Sequence, residues 1–315
     1  MGGSTEDRMA FLREEIARMK REKNALIMAH YYQRDEIQEI ADFIGDSLAL
    51  ARQASQTDAD VIVMCGVHFM GETAKILCPD KKVLIPDTEA GCSLADSCPP
   101  EEFAAFVNAH PDHTVVSYVN TSAAVKALTD IVVTSGNARK IIEQLPEDER
   151  IIFGPDRNLG EYINSVTGRK MLLWKGACHV HDRFSLQKIL EMKKEHPEAK
   201  ILVHPECQRP LQLIADKVGS TAALLEYAQK DAAKEFIVVT ESGILFEMRR
   251  KCPGKILYAA PAEDAECQCN ECDFMKLNTL EKVYKALRDE KPEIEVDPEV
   301  AEKALRPIER MLEMS

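Results

Sequence analysis

Ten cysteines in a chain of 315 residues are many, and five of them cluster in three short motifs. Cys92 stands in AGCSLAD, Cys178 in KGACHVHD, and Cys267, Cys269 and Cys272 in ECQCNECDFM. Disulfides are rare in a reducing compartment, so free cysteines there point to metal binding, catalysis or core packing. Packing suffices for Cys65, Cys78, Cys207 and Cys252, which read as small hydrophobes. The remaining motifs end successive thirds of the chain. Thiolates from three distant segments are costly to bring together unless a metal neutralises them. The CxCxxC at 267–272 alone would suit half of a structural zinc site. Three widely separated cysteines better suit a [4Fe–4S] cluster with one iron left open, because an electron-transfer cluster takes four cysteines. An open iron acts as a Lewis acid on a substrate oxygen.

A second set of residues recurs with the same period. The apolar runs ALIMAHYY (25–32), TVVSYVN (114–120) and KILVHPE (200–206) carry His30 and Tyr32, Tyr118 and Asn120, and His204 and Glu206. Ser47, Ser135 and Thr221 each follow His30, Tyr118 and His204 by 17 residues and precede a helical pattern. Singly, each reads as an ordinary N-cap worth about 1 kcal/mol. Three at matched positions favour helix starts that present N–H groups to a carboxylate or phosphate. Cys92 lies 62 residues after His30, Cys178 60 after Tyr118, and the last cluster 63 to 68 after His204. His179 and His181 beside Cys178 are packed, solvated or catalytic. Glu206 is a strand-end carboxylate suited to general-base work. His68, His110, His113 and His196 receive no role.

The elements that must position these groups follow from the rest of the pattern. Each third shows two further apolar runs, VIVMC and KVLIP, IIFG and KMLLW, FIVVT and KILYAA, separated by helical stretches. Short β-type runs alternating with helices predict parallel α/β units, here three similar α/β/α domains with pseudo-threefold symmetry around a central cavity. The expected limits are 1–110, with an N-terminal amphipathic helix, 111–197, and 198–315, closed by amphipathic helices over 281–312. Ligands bind outside the carboxyl ends of parallel strands, which is where the six residues of the first runs fall. Pockets where domains meet are the usual sites for small molecules.

Composition narrows the class. The 45% hydrophobic content allows a sizeable core, and no apolar run is long enough to span a membrane. The N-terminus lacks the unbroken apolar core of a signal peptide, so a cytoplasmic protein is expected. Forty basic against 53 acidic residues give a net charge of −13, without a basic stripe, which argues against nucleic acid. An anionic substrate must then be captured by local donors against the global field.

AHYYQ, GDS, AGCSLADSC, SYVNTSAAVKALTD, TSGNA, GPDRNLG, GACHVHDRF, HPEC, GST, TESGI and CNECDFMKLNTLEKVY stand in unbroken order over 25–285. This series resembles the quinolinate synthase family of NAD biosynthesis. The resemblance implies condensation of iminoaspartate, received from an aspartate-oxidising enzyme, with dihydroxyacetone phosphate to give quinolinate, phosphate and water. It implies one [4Fe–4S] cluster on Cys92, Cys178 and Cys272. Substrate binding would fall to His30, Ser47, Tyr118, Val119, Asn120, Ser135, His204, Pro205, Glu206 and Thr221. Tyr32 and His181 match active-site positions. Glu206, helped by His204 and Tyr32, is expected to move protons while Tyr118 and Asn120 orient the substrate. The sequence departs from the family at Asp273, where proline is common, and Cys267 and Cys269 are rival thiols. The following MKLNTLEK sets the register on Cys272. The rivals are an iron–sulfur hydro-lyase, a cluster-carrying redox sensor and a structural zinc protein.

Overall fold

A computed structural model describes residues 5–263 and 270–315. Its twelve strands form three separate four-stranded sheets, all parallel. The first contains β1 (Ala25–His30), β2 (Phe43–Gly45), β3 (Val61–Cys65) and β4 (Lys82–Leu84), in the order β2-β1-β3-β4. The second contains β5 (Thr114–Tyr118), β6 (Ile131–Val133), β7 (Ile151–Gly154) and β8 (Leu172–Leu173), in the order β6-β5-β7-β8. The third contains β9 (Lys200–Val203), β10 (Lys217–Val218), β11 (Glu235–Val239) and β12 (Ile256–Ala259), in the order β10-β9-β11-β12. The topology is the same three times.

Inner strands such as VIVMC and IIFG are buried along their whole length because helices cover both faces, so they read as continuous apolar runs. The nine apolar runs of the sequence all become strands. Each sheet also gains an outer strand of two or three residues, β2, β6 or β10, too short for any periodicity to announce. An aspartate repeats with it. Asp42, Asp130 and Asp216 each accept the backbone N–H of the residue 15 positions earlier, Ile27, Val115 and Ile201, at 2.8 Å. These carboxylates fasten each outer strand to its neighbour.

The helix Thr5–Glu22 lays Leu12, Ile16 and Met19 against the first sheet. Phe11, on its apolar pattern, remains exposed beside the Tyr284 ring. The C-terminal helices do not cover the sheet that precedes them. Leu280, Val283 and Leu287 of the helix Leu280–Asp289 join the core of the first sheet. The helix Pro298–Met314 packs on β6 and on the helix His68–Leu77. The tail thus straps the first two sheets together. We propose the limits 1–110, 111–197 and 198–315 for the three units, with this tail crossing back. No helix among the described residues is long and apolar enough to cross a membrane.

Candidate active site

The carboxyl ends of the three first strands β1, β5 and β9 open on one cavity. His30, Tyr32 and Ser47 line it from the first sheet, Tyr118, Asn120, Ser135 and His181 from the second, and His204, Glu206 and Thr221 from the third. Cys92, Cys178 and Cys272 line the same space.

Two of the strand-end histidines are held alike. His30 Nδ1 accepts the backbone N–H of Tyr32 at 3.1 Å, and His204 Nδ1 accepts that of Glu206 at 3.4 Å. The hydrogen bond at Nδ1 assigns the proton to Nε2 in each ring. Burial pushes both imidazoles down to about 3, so each is a neutral donor.

Glu206 is buried at the centre of a hydrogen-bonded chain. Tyr118 donates to its Oε1, and His181 Nδ1 lies 2.9 Å from its Oε2. Burial raises the carboxyl, but the neighbouring His181 and His204 and the bonds from His181 and Tyr118 outweigh that and hold it at about 2. His181 Nε2 meets Thr240 Oγ1 at 2.9 Å, Thr240 meets the Tyr32 hydroxyl at 2.7 Å, and Tyr32 meets Thr221 Oγ1 at 2.7 Å. His181 stacks on His204 with ring centres 4.4 Å apart. An ionised carboxylate is therefore wired through His181 and the hydroxyls of Thr240 and Tyr32 to the helix start at Thr221.

The three cysteines share one local design. Each stands at the start of a short turn whose backbone N–H groups work to lower the thiol: Ala95 and Leu94 at Cys92, His181 at Cys178, Met275 and Phe274 at Cys272. Burial nonetheless pushes the thiols of Cys92 and Cys272 up to about 12 and about 11, and Cys178 up as well; neighbouring thiols and Glu206 add to the rise at Cys92 and Cys178. Sulfurs whose thiolates burial disfavours this strongly fit a positive metal centre, which would stabilise them. His179 ties the turns together. Its Nδ1 is hydrogen-bonded to Ser93 Oγ beside Cys92, and its ring meets Phe274 edge-on, two residues past Cys272.

Two buried carboxylates support the turns from behind. Asp156, two residues past β7, accepts from Cys178 N at 2.8 Å and Leu159 N at 2.9 Å. Glu241, two residues past β11, accepts from Cys272 N at 3.1 Å and Gly243 N at 2.7 Å and pairs with Lys276 at 3.0 Å.

The ordinary-cap reading of the matched hydroxyl residues does not hold. Asp46 and Ser220 cap the helices that begin at Ser47 and Thr221, and Asn137 precedes the helix Ala138–Gln144. Ser47, Ser135 and Thr221 are thereby released to line the cavity.

A family model, quinolinate synthetase A protein, matches residues 14–313. Curated relatives named quinolinate synthase are 57% identical in Synechococcus sp. over 99% of this chain and 97% of theirs. The relative in Thermosynechococcus vestitus is 58% identical over 95% of this chain and 94% of its own, and that in Microcystis aeruginosa 57% identical over the same shares. The chain belongs to the quinolinate synthetase A family.

Against the site expected from family resemblance, the structure brings thirteen positions to one cavity: His30, Tyr32, Ser47, Cys92, Tyr118, Asn120, Ser135, Cys178, His181, His204, Glu206, Thr221 and Cys272. Asn120 Oδ1 is buried without a protein partner among the described residues, which leaves its amide for a ligand. Val119 and Pro205 stand apart. Val119 is buried in the core beneath the cavity, and Pro205 is buried with its carbonyl accepting from Gln212. Neither side chain is on the wall. Cys267 and Cys269 lie outside the described residues. Asp46, Asp156, Thr240 and Glu241 were missed by sequence reasoning, although GDS, GPDRNLG and TESGI contain all four.

Cys178, His181 and Glu206 also bring one donor atom each within 4.8 Å of one another, as a single-ion site would. Their donors are already engaged: His181 Nδ1 faces both Cys178 Sγ at 3.3 Å and Glu206, whose other oxygen takes the Tyr118 proton. That triad is better satisfied as a hydrogen-bonded group than as a ligand set.

Proposed function

We propose that this chain is a quinolinate synthase that condenses iminoaspartate with dihydroxyacetone phosphate, releasing phosphate and water, for NAD biosynthesis. Membership of the quinolinate synthetase A family supports the activity. The observation that carries the chemistry is the meeting of three cysteines from the three thirds of the chain and a hydrogen-bonded glutamate in a single cavity.

Cys92, Cys178 and Cys272 would hold one [4Fe–4S] cluster, which supplies Lewis-acid chemistry toward a substrate oxygen. The other roles belong to the chain itself. Ser47, Ser135, Thr221 and Asn120 hold carboxylate and phosphate oxygens, aided by the helix starts Ser47–Gln56 and Thr221–Lys230. His30 and His204 donate Nε2–H to the same anions without adding charge. Glu206 takes a proton from the substrate during enolisation and dehydration. His181 and Tyr118, bonded to its two oxygens, orient it, and Tyr32 serves the far end of the chain through Thr240. Fixed donors of this kind commonly contribute several kcal/mol to transition-state stabilisation. The buried, neutral Val119 and Pro205 act at most through their main chain.

An oxidation of aspartate upstream supplies the imine. A cytoplasmic setting suits eight free thiols among the described residues. The test is anaerobic purification followed by a quinolinate assay with both substrates. Brown protein with about four irons per chain that makes quinolinate is expected on the open-cluster reading. Colourless zinc protein, or dehydration of a hydroxy-dicarboxylate in place of condensation, would overturn it.

A further inference from the structure

One buried charge has no part in the site so far. Lys126 is fully buried and is the only lysine or arginine in the buried set among the described residues. Its Nζ donates to the Thr121 carbonyl and lies 5.4 Å from the centre of the Phe69 ring. Among the described residues no carboxylate pairs with it; the acidic side chains that act on it are Glu72 and Cys92. Glu72 is occupied elsewhere, accepting from Ala123 N at 3.0 Å and facing His68 at 3.8 Å.

A carbonyl and an aromatic face only partly replace the water an ammonium loses. Such a charge is expensive unless something anionic arrives. Phe69, which the ammonium overlies, lines the cavity beside Cys92. Three cysteine thiolates on an iron–sulfur core leave the assembly with net negative charge. Lys276, on the Cys272 side, is already paired with Glu241. Lys126 is the buried cation without an ion pair among the described residues, and it stands on the Cys92 side.

We propose that Lys126 is the buried counter-charge of the metal centre, balancing the negative charge that Cys92 and the other two thiolates carry once they ligate a cluster. This inference rests on the cluster reading above. It makes the residue a stabiliser of the loaded protein and a burden on the empty one. Lys126→Met removes the charge and the hydrogen bond. Lys126→Gln removes the charge but keeps a donor for Thr121.

The test loads the full-length wild type and both variants with iron and sulfide without oxygen. It follows cluster loss to a chelator, the cluster reduction potential, and the urea midpoint of empty and loaded protein. The expected result is cluster loss about tenfold to a hundredfold faster in both variants. The potential should fall, and the empty variants should denature at or above the wild-type midpoint. Variants that keep the cluster as long as wild type overturn the proposal, as do empty variants that are less stable or do not fold. A wild type that takes zinc or no metal overturns the cluster reading itself, whereas a brown wild type with indifferent variants overturns only the counter-charge.

Discussion

The Asp156 carboxylate accepts the backbone N–H of Cys178 at 2.8 Å from a position buried behind the cavity wall. Its other oxygen caps the helix Arg157–Thr167 through Leu159. Asp156→Ala leaves two buried N–H groups without acceptors, at about 1–3 kcal/mol each. The expected outcome is a lower melting temperature together with reduced iron content after desalting. Glu241→Ala should act in the same way at Cys272.

Glu206→Gln removes the anion that His181 and Tyr118 orient. Turnover is expected to fall about a hundredfold to ten-thousandfold, as for loss of a general base. Iron content should stay at the wild-type level. Steady-state assay and iron analysis on one sample check both halves.

Thr240 joins His181 to Tyr32 through a single hydroxyl. Thr240→Val keeps the shape and breaks the chain, so turnover should drop, with stability falling by about 1–3 kcal/mol for the orphaned His181 Nε2. Thr240→Ser restores the hydroxyl and should recover most of the rate. Equal rates for the valine and serine variants would count against the chain.

The cysteine assignment separates by substitution. Cys92→Ser, Cys178→Ser and Cys272→Ser should each lose the brown colour during anaerobic purification. Cys267→Ser and Cys269→Ser should retain it. Iron and sulfide content per chain measures the difference.

Acid should remove the stability that His30, His204 and Glu206 lend, offset in part by Asp46, Asp156 and Glu241, whose carboxyls burial raises. The folded-state values of His30 and His204, about 3, lie below the usual 6.5, so the unfolded chain binds more protons between those limits. Their contribution to stability is complete above 6.5 and is lost as pH falls toward 3. Glu206 adds a loss in the same direction between 4.5 and about 2. Urea midpoints measured across this range should decline with acidification, and His30→Asn should flatten the decline between pH 6.5 and about 4.5.

Much of this site was legible in the residues alone. The strand-end positions His30, Tyr118 and His204 and the matched hydroxyls 17 residues later all reach the cavity, because a buried parallel strand declares itself by a continuous apolar run. Other features were hidden for a physical reason. Asp46 and Ser220 displace their neighbours Ser47 and Thr221 as helix caps by a shift of one residue, which composition cannot resolve. Thr240 looks like any strand-end threonine until His181 and Tyr32 arrive from other thirds of the chain.

The sequence by itself determined the threefold α/β plan, since repeated hydrophobic runs are local and survive reading in one dimension. It also set which residue types stand at the strand ends. Tertiary structure alone decided which backbone N–H each carboxylate receives, how the tail straps the first two sheets, and that Lys126 is buried without an ion pair among the described residues. Those depend on segments tens to hundreds of residues apart meeting at hydrogen-bond distance, and no periodicity along the chain encodes such a meeting.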